Sequence, residues 1–370
     1  MNPRTPVVVG VGQVLNRSKD LDDAIEPIEM MLKAMQRAEE DSGARLLGQV
    51  GSVRVIRGVW DYGNPAGFIA ERIASPNSET MGTLFGGNQV QAVLNRSCLD
   101  ILSGDHDLIV LTGAENGSSS NRARKQGVQI KSTSISGSPD EIVGSQKPEH
   151  HEFEIAKGIK QAIQVYPMYE NAIRYARGET MDEHLVRVSE LWSRFNEAGL
   201  ENPNAWIQTR HSAEEIRTPS SSNRAVSYPY TKMMNANMVV YMGAALILCS
   251  IEKAKQLGIE EGKWVYPYAG VQGYDHFSAS VRDNFVESPG VRITGRRVMD
   301  LACTTAEELE YVDLYSCFPS AVQVAAKELG LSEDRPLTVT GGLTFGGGPL
   351  NNYVMHSVAR TVELLSLIHI

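Results

Sequence analysis

The chain has 370 residues, of which 42% are hydrophobic and 21% charged, and its formal net charge is −9. This composition is typical of a globular protein of two or three domains and excludes a disordered chain, a collagen and a coiled coil. An acidic surface repels phosphate backbones, so we expect no nucleic-acid partner. The sequence shows neither an apolar run of membrane-spanning length nor a signal-peptide pattern, and we predict a cytoplasmic protein.

The four cysteines do not show the spacing of a metal-binding or redox motif. Cys98, Cys249, Cys303 and Cys317 form no C-x-x-C pair, and three of the four lie inside apolar segments. We therefore predict buried free thiols in a reducing compartment.

The first part of the chain alternates strand-like and helix-like segments. Residues 7–9 are three valines followed by Gly10, the pattern of a strand that is buried on both faces. Apolar residues at helical spacing predict a helix over residues 22–41. The same reasoning predicts a strand over 50–59, an apolar helix over 88–102 and a strand over 107–113. Alternating buried strands and helices predict a parallel, three-layer α/β unit.

The pattern changes after Gly113. Residues 115–145 are rich in Ser, Gly, Lys and Arg, and residues 150–217 are helical and amphipathic. Another polar loop follows at residues 220–223. We interpret residues 115–225 as an insertion that stands over the core.

The second part of the chain repeats the element order of the first. Strands are predicted over 263–270, 310–318 and 336–342, with helices between them and a last helix from about residue 352. This order predicts a duplicated architecture. The last helix runs to Ile370, so we expect a second half that lacks strands, exposes an apolar edge and binds hydrophobic dyes.

Two motifs have a structural interpretation. Gly10 and Gly12 lack the third glycine of a dinucleotide fingerprint, so we predict a tight strand-exit turn, with a Rossmann-type dehydrogenase as the alternative. His150, His151 and Glu154 stand close together without further spaced ligands. For them we predict a solvated helix start rather than a metal site.

Two further segments are candidates for function. Gly86 and Gly87 precede an apolar helix, whose free N–H groups can hold an oxyanion or a thioester oxygen. An ordinary N-cap at Asn88 is the alternative. The segment DLYSCF brings Tyr315 and Cys317 to the carboxyl end of a predicted strand, where α/β sheets place ligand sites. A buried strand end is the alternative there.

The third candidate segment is a glycine tract over residues 340–352, followed by His356. Five glycines within eight positions make little sense as packing. They fit a backbone that accepts positive φ and approaches a ligand, whereas a flexible loop is the alternative. His356 lies one turn into the next helix and is either an acid/base group or a packed helix residue.

These three segments, in this order and spacing, resemble the thiolase superfamily over nearly the whole chain. GGNQVQAVLNRSCLDILSGDHDLIVLTGAENGS resembles the thiolase nucleophile loop, its buried helix and the next strand, and TKMMNANMVVYMGAALILCS resembles the segment after the loop domain. DLYSCF stands where relatives carry Asn-Glu-Ala-Phe or His-Asp-Cys-Phe. TGGLTFGGGPLNN stands where they carry glycines followed by Gly-His-Pro.

The resemblance implies a duplicated αβαβα core of five layers with a loop domain. The N-terminal half would be residues 1–114 and 226–262, the loop domain residues 115–225, and the incomplete C-terminal half residues 263–370. It also implies a homodimer that takes coenzyme A thioesters as substrates and has no permanently bound cofactor. Within the family the sequence resembles the sterol-carrier-like branch and the acetyl-CoA acetyltransferases of lipid and steroid metabolism, some of which work beside an OB-fold partner.

The catalytic residues of the family are replaced in this chain. The nucleophilic cysteine falls at Gly87, its activating histidine at Gly348, and the water-binding Asn or His at Tyr315. Met242 replaces a common acidic residue, and the second catalytic cysteine belongs to a segment beyond residue 370. Without a thiolate at position 87, no acyl-enzyme forms by the usual route.

The sequence therefore predicts a thiolase-like acyl-CoA acyltransferase that has lost the standard nucleophile. One alternative is a retro-aldol lyase in which Tyr315 serves as acid or base. Another is a non-catalytic acyl-CoA-binding or scaffold subunit. The predicted catalytic residues are Tyr315, His356 and Cys317, and the predicted thioester-binding residues are Gly86, Gly87, Asn88, Gly346, Gly347 and Gly348.

Overall fold

A computed structural model describes residues 2–367, which fold into two compact units. Unit 1 comprises the chain up to Ser145, Met238–Tyr268 and the chain from Gly348 onward, and unit 2 comprises Gln146–Asn237 and Ala269–Gly347. No helix among the described residues has the length and apolar character needed to cross a membrane. Residues 368–370, at the end of the predicted last helix, lie outside the described residues.

The helices and strands of residues 2–367 are numbered in chain order. The strands are β1 (Pro6–Leu15), β2 (Ser52–Val55), β3 (Glu79–Thr83), β4 (Leu108–Glu115), β5 (Glu141–Val143), β6 (Ala225–Ser227), β7 (Tyr230–Thr231) and β8 (Met242–Ser250). The α-helices are α1 (Pro27–Ser42), α2 (Pro65–Arg72), α3 (Gln89–Ser103), α4 (Gly117–Gln126), α5 (Glu152–Ala156), α6 (Ala162–Arg177), α7 (Met181–Glu201), α8 (Ala213–Arg217), α9 (Ile251–Gln256), α10 (Pro289–Ala302), α11 (Pro319–Leu329) and α12 (Tyr353–Leu367).

Unit 1 is built on a six-stranded sheet in the order β1-β8-β4-β2-β3-β5. β8 pairs antiparallel with β1 and β4, whereas β4, β2, β3 and β5 pair in parallel. Helix α1 packs on one face of the sheet, and α3 and α12 pack on the other. The predicted α/β fold class and the three-layer order are confirmed.

Gly10 and Gly12 lie inside β1 rather than in a turn, so the predicted strand exit at Gly10 is wrong. A Cβ atom at Gly10 would stand 2.1 Å from the Ala38 carbonyl oxygen, and one at Gly12 would stand 2.0 Å from that of Ala34. The two glycines therefore let the backbone of α1 lie directly on the strand.

Helix α3 is held to the sheet by a buried ion pair. The Arg54 guanidinium on β2 donates to Asp100 Oδ2 at 2.6 Å and to Ser97 Oγ at 3.0 Å, and Arg54 has no exposed surface. Such a pair is costly to break because the remaining charge stays buried. The outer face of α3 stays open, with Leu99 exposed to 62% and Leu102 to 44%.

Unit 2 is helical apart from a two-stranded sheet formed by β6 and β7. The segments predicted as strands over 310–318 and 336–342 run side by side, joined by a bond from Leu314 N to Leu337 O at 2.9 Å. Those two strand predictions are wrong because no continuous ladder of hydrogen bonds pairs the segments.

The third strand predicted for the second part of the chain, over 263–270, lies in unit 1 as far as Tyr268. It is reduced to an isolated bridge between Val265 and Val8 at the edge of the unit 1 sheet. This prediction is wrong for the same reason, since one bridge is not a ladder.

His151 and Glu154 form a capping box at the start of α5. His151 Nδ1 accepts from Phe153 N at 3.2 Å, and Glu154 accepts from His151 N at 2.8 Å. The predicted helix start is confirmed. The prediction that it is solvated is wrong for Glu154, whose side chain is 1% exposed and also accepts a hydrogen bond from Ser280 N. No group of three or more His, Cys, Asp or Glu side chains in the described part of the chain is arranged to hold a metal ion.

Candidate active site

The loop before α3 presents unpaired backbone donors. Strand β3 ends at Thr83, and Gly86 and Gly87 lead into Asn88, the N-cap of α3, whose side chain makes no capping bond. Within residues 2–367 the N–H groups of Gly87 and Asn88 donate to no protein acceptor. Donors at a helix N-terminus stabilise negative charge, so this loop can hold the oxygen of a thioester or an enolate.

Asn351 fixes this loop, and the sequence analysis missed its role. Its Oδ1 accepts from Gly86 N at 3.1 Å, and its Nδ2 donates to the Arg57 carbonyl oxygen at 2.8 Å. The Arg57 guanidinium lies over the ring of Trp60 at 4.9 Å and over that of Phe85 at 5.7 Å. Only contacts between distant parts of the chain reveal this link, which carries no local sequence signal.

Glu115 ends β4 at the same edge of the sheet and was also missed. It is 6% exposed, and its Oε1 accepts from Val59 N at 2.9 Å. Burial raises the pKa of Glu115 to about 7, against the opposing effects of the Val59 N–H and Arg57. A polar residue at the end of an apolar strand was the available signal.

Gly348 and His356 belong to unit 1. The Gly348 carbonyl accepts from Leu350 N at 2.7 Å. His356 is 4% exposed, and its Nδ1 lies 2.8 Å from Gln13 Oε1, while Gln13 Nε2 donates to Glu363. Burial lowers the pKa of His356 to about 3, so the ring is neutral and its Nδ1–H donates to Gln13.

His356 thus lies on the buried face of α12, as the packed interpretation expects. Its Nε2 has no hydrogen-bond partner in the described structure. Its acid/base role stays a prediction.

Tyr315 and Cys317 lie together in unit 2, just before α11. Tyr315 keeps 38% of its surface exposed, and Cys317 is partly exposed. Burial raises the pKa of the Cys317 thiol to about 11. Desolvation, followed by the charges of Cys317 and Glu149, also raises the pKa of Tyr315. Both groups are therefore protonated at neutral pH and act as donors rather than bases.

Tyr166 on α6 joins this pair and was not predicted. Its hydroxyl hydrogen-bonds the Cys317 thiol, and the pKa of Tyr166 is raised well above its usual value by the charge of Cys317 and by burial. Its ring stacks on Phe318 with centroids 4.5 Å apart. Tyr315 and Cys317, from the segment predicted as a strand end, thus form a cluster of a thiol and two phenols with Tyr166.

A buried network holds α6 against α11 behind this cluster. Tyr230 donates to Glu170 Oε2 at 2.6 Å and lies 2.8 Å from Ser320 Oγ, which in turn donates to the Tyr166 carbonyl at 3.3 Å. His184 Nε2 lies 2.8 Å from Glu170 Oε1. The fully buried Glu170 is satisfied by these donors and fixes the position of Tyr166.

Gly346 and Gly347 close a π-helix, Gly342–Gly346, in unit 2. Gly346 N donates to Gly341 O at 3.3 Å, and Gly347 N donates to Gly342 O at 3.2 Å. Their N–H groups are thus engaged within the backbone, and their predicted contact with a thioester stays a prediction. π-Helical turns are frequent at functional sites.

Packing explains much of the glycine tract, contrary to our sequence interpretation. A Cβ atom at Gly341 would lie 2.6 Å from Gly199 Cα on α7, and one at Gly342 would lie 2.4 Å from Ser316 Oγ. Both residues also have positive φ, at 92° and 67°. The tract is therefore pressed against α7 and is not a flexible loop.

Cys98 and Cys249 are not activated nucleophiles. Burial raises the pKa of Cys98 to about 11 and that of Cys249 to about 12. All four cysteines are free, as predicted, but only Cys249 is fully buried. Cys303 is exposed because it caps the C-terminus of α10 in the left-handed region.

Comparison with known proteins finds relatives by structure alone, since neither a family model nor a curated protein sequence matches. A monomeric SCP2-thiolase-like protein type 1 from Mycobacterium smegmatis is 28% identical with a TM-score of 0.83, over 99% of this chain and 72% of that chain. The Ltp2-ChsH2(DUF35) aldolase is 14% identical with a TM-score of 0.69, over 98% of this chain and 93% of the aldolase chain. An acetyl-CoA acetyltransferase from Syntrophomonas wolfei is 13% identical with a TM-score of 0.62, over 99% of this chain and 92% of the acetyltransferase chain.

Proposed function

Because the chain belongs to the thiolase superfamily, we propose that it binds coenzyme A thioesters and acts on them as a carbon–carbon lyase without an acyl-enzyme. The loop before α3 carries this proposal. It offers the free N–H groups of Gly87 and Asn88 at the position where the family, by resemblance, carries its nucleophile. Such donors stabilise an enolate oxygen without any covalent step.

The acyltransferase predicted from the sequence has less support. Its chemistry needs a thiolate, yet position 87 is glycine. The raised pKa values of Cys98, Cys249 and Cys317 keep these thiols protonated at neutral pH.

A retro-aldol reaction uses the groups that remain. A base takes the proton of a 3-hydroxyl group, the Cα–Cβ bond breaks, and its electron pair forms the thioester enolate. An acid then returns a proton to Cα, which releases a carbonyl compound and a shorter acyl-CoA. The protonated phenol of Tyr315 suits it to donate a hydrogen bond to the alkoxide that forms at the 3-oxygen. An aldolase is also among the structures that share this fold.

The proposal is tested with Tyr315→Phe and a steroid-like 3-hydroxyacyl-CoA. We expect turnover to fall by about 10²–10⁴, the usual cost of losing a positioned acid or base. The Kd for the CoA ester should stay unchanged because only one hydroxyl is removed. Tyr175→Phe is the matched control, since Tyr175 is 82% exposed and lies on the same unit. Turnover at the full rate in Tyr315→Phe would contradict the proposed role.

A non-catalytic acyl-CoA-binding subunit is the second candidate. Glycine stands at positions 87 and 348, where the family, by resemblance, carries its cysteine and histidine, and this favours a binding subunit. Saturable binding of the thioester without turnover, in the wild type and in Tyr315→Phe alike, would establish this function instead.

Partners and location belong to the same proposal. We propose a cytoplasmic homodimer that works beside an OB-fold protein. The aldolase with the same fold is a complex with a DUF35 protein, whereas the SCP2-thiolase-like protein is monomeric. Light scattering of the purified chain, alone and with a candidate partner, distinguishes these states.

A further inference from the structure

Glu115 is a buried carboxyl group with one oxygen left over. Its Oε1 accepts a single hydrogen bond, from Val59 N at 2.9 Å. Its Oε2 accepts no hydrogen bond from residues 2–367 and stays open to solvent. A side chain that is 94% buried therefore keeps one oxygen free and accessible.

The surroundings of Glu115 connect it to the loop before α3. Trp60 Nε1 donates to the carbonyl of Ala114, the residue before Glu115, at 3.1 Å. The Arg57 guanidinium lies over the ring of Trp60. Arg57 also lies over Phe85, and Asn351 ties the Arg57 carbonyl to Gly86 N. Glu115 and the free donors of the loop thus share the carboxyl edge of one parallel set of strands, where α/β folds place their ligands.

The protonation of Glu115 suits proton transfer in both directions. Desolvation, the largest effect, raises its pKa to about 7, and Arg57 is the charged neighbour that opposes it. A group that is half protonated near neutral pH serves as a base in one step and as an acid in the next.

We propose that Glu115 moves the α-proton of a thioester held by the Gly86–Asn88 loop. The Glu115 carboxylate takes a proton from Cα, and the C–H electron pair becomes the enolate double bond. The negative charge passes to the thioester oxygen, which is stabilised by the N–H groups of Gly87 and Asn88. In the reverse direction protonated Glu115 returns the proton to Cα. This role rests on the proposed binding of CoA thioesters.

The test follows exchange of the acetyl protons of acetyl-CoA for deuterium in D₂O by NMR. We expect the wild type to catalyse exchange, with a rate that rises with pH and levels off above about pH 7 as Glu115 ionises. Glu115→Gln should lower the rate by about 10²–10⁴ with an unchanged Kd for acetyl-CoA. Glu328→Gln is the control, because Glu328 is a carboxylate of unit 2 that is also buried, at 3% exposed, and accepts one backbone bond, from Ser288 N, beside its ion pair with Arg292 at 3.3 Å.

Two results would overturn the role of Glu115. One is exchange in Glu115→Gln at the wild-type rate, and the other is a wild type that catalyses no exchange at all. Binding of acetyl-CoA and the Tyr315→Phe turnover assay report separately on the proposed function. If the chain binds the thioester but its exchange rate is the same in Glu115→Gln, this inference alone is refuted. If the chain binds no CoA thioester, the proposed function is refuted.

Discussion

Glu115 places an ionisable group at the end of an apolar strand, and this placement makes stability depend on pH. Its pKa is about 7 in the folded chain against 4.5 for an ordinary glutamate. Below pH 4.5 both states bind the proton. Between these two values the unfolded chain releases the proton while the folded chain keeps it, so the free energy of unfolding falls as pH rises.

Glu115→Gln removes this dependence. We compare the free energy of unfolding of the variant with that of the wild type at each pH. The difference should shift in favour of the variant by up to about 3 kcal/mol between pH 4 and pH 8. Urea unfolding at the two pH values measures this change. A difference that does not vary with pH would show that Glu115 titrates normally in the folded chain.

The contact between Tyr166 and Cys317 sets the reactivity of that thiol. The Tyr166 hydroxyl stabilises the thiolate and so opposes the rise in the Cys317 pKa caused by burial. Tyr166→Phe should slow alkylation of Cys317 by iodoacetamide about tenfold, because one hydrogen bond to a charged group is lost. Peptide mass spectrometry separates Cys317 from the exposed Cys303.

Tyr169→Phe is the control for this measurement. The Tyr169 ring lies 5.6 Å from that of Tyr166 but is not among the groups that shift the Cys317 pKa. Equal rates in Tyr166→Phe and in the wild type would mean that the hydroxyl does not reach the thiolate.

Among the elements, the π-helix is preceded by Gly341, whose backbone lies so close to α7 that it leaves no room for a side chain. Gly341→Ala would put a Cβ atom 2.6 Å from Gly199 Cα at a residue with φ of 92°. We expect a loss of about 3 kcal/mol in the free energy of unfolding, from left-handed strain together with overpacking.

Gly330→Ala isolates the contribution of strain. Gly330 caps α11 with φ of 71° and has no atom within 4 Å of its would-be Cβ. This variant should lose only about 1 kcal/mol. Denaturant unfolding of the two variants compares them, and equal losses would show that the contact with α7 costs nothing.

The sequence predicted elements well where one residue pattern decides the structure. The buried strands β1 and β4 are continuous apolar runs, and the helices α1 and α3 follow the 3.6-residue repeat. Strand predictions over 310–318 and 336–342 are wrong because a ladder depends on a partner strand. The role of Gly10 and Gly12 depends on the approach of α1, which no local pattern shows.

At the scale of the whole molecule, the order of three segments was enough to predict the superfamily. The catalytic and thioester-binding roles given to single residues stay predictions, and the structure brings two of those residues, Tyr315 and Cys317, together in unit 2. Asn351 and Tyr166 could not be predicted, since each acts through partners that are far away in sequence. Glu115 was missed although a polar residue at the end of an apolar strand is a sequence signal. The expected binding of hydrophobic dyes stays a prediction.

The central claim is that this thiolase-fold chain handles thioesters without covalent catalysis. Intact-mass spectrometry of the chain after rapid mixing with acetyl-CoA tests it most directly. The account predicts only the unmodified mass, because position 87 is glycine and the pKa of Cys317 is raised to about 11. A stoichiometric acetyl adduct that disappears in Cys317→Ser would contradict it.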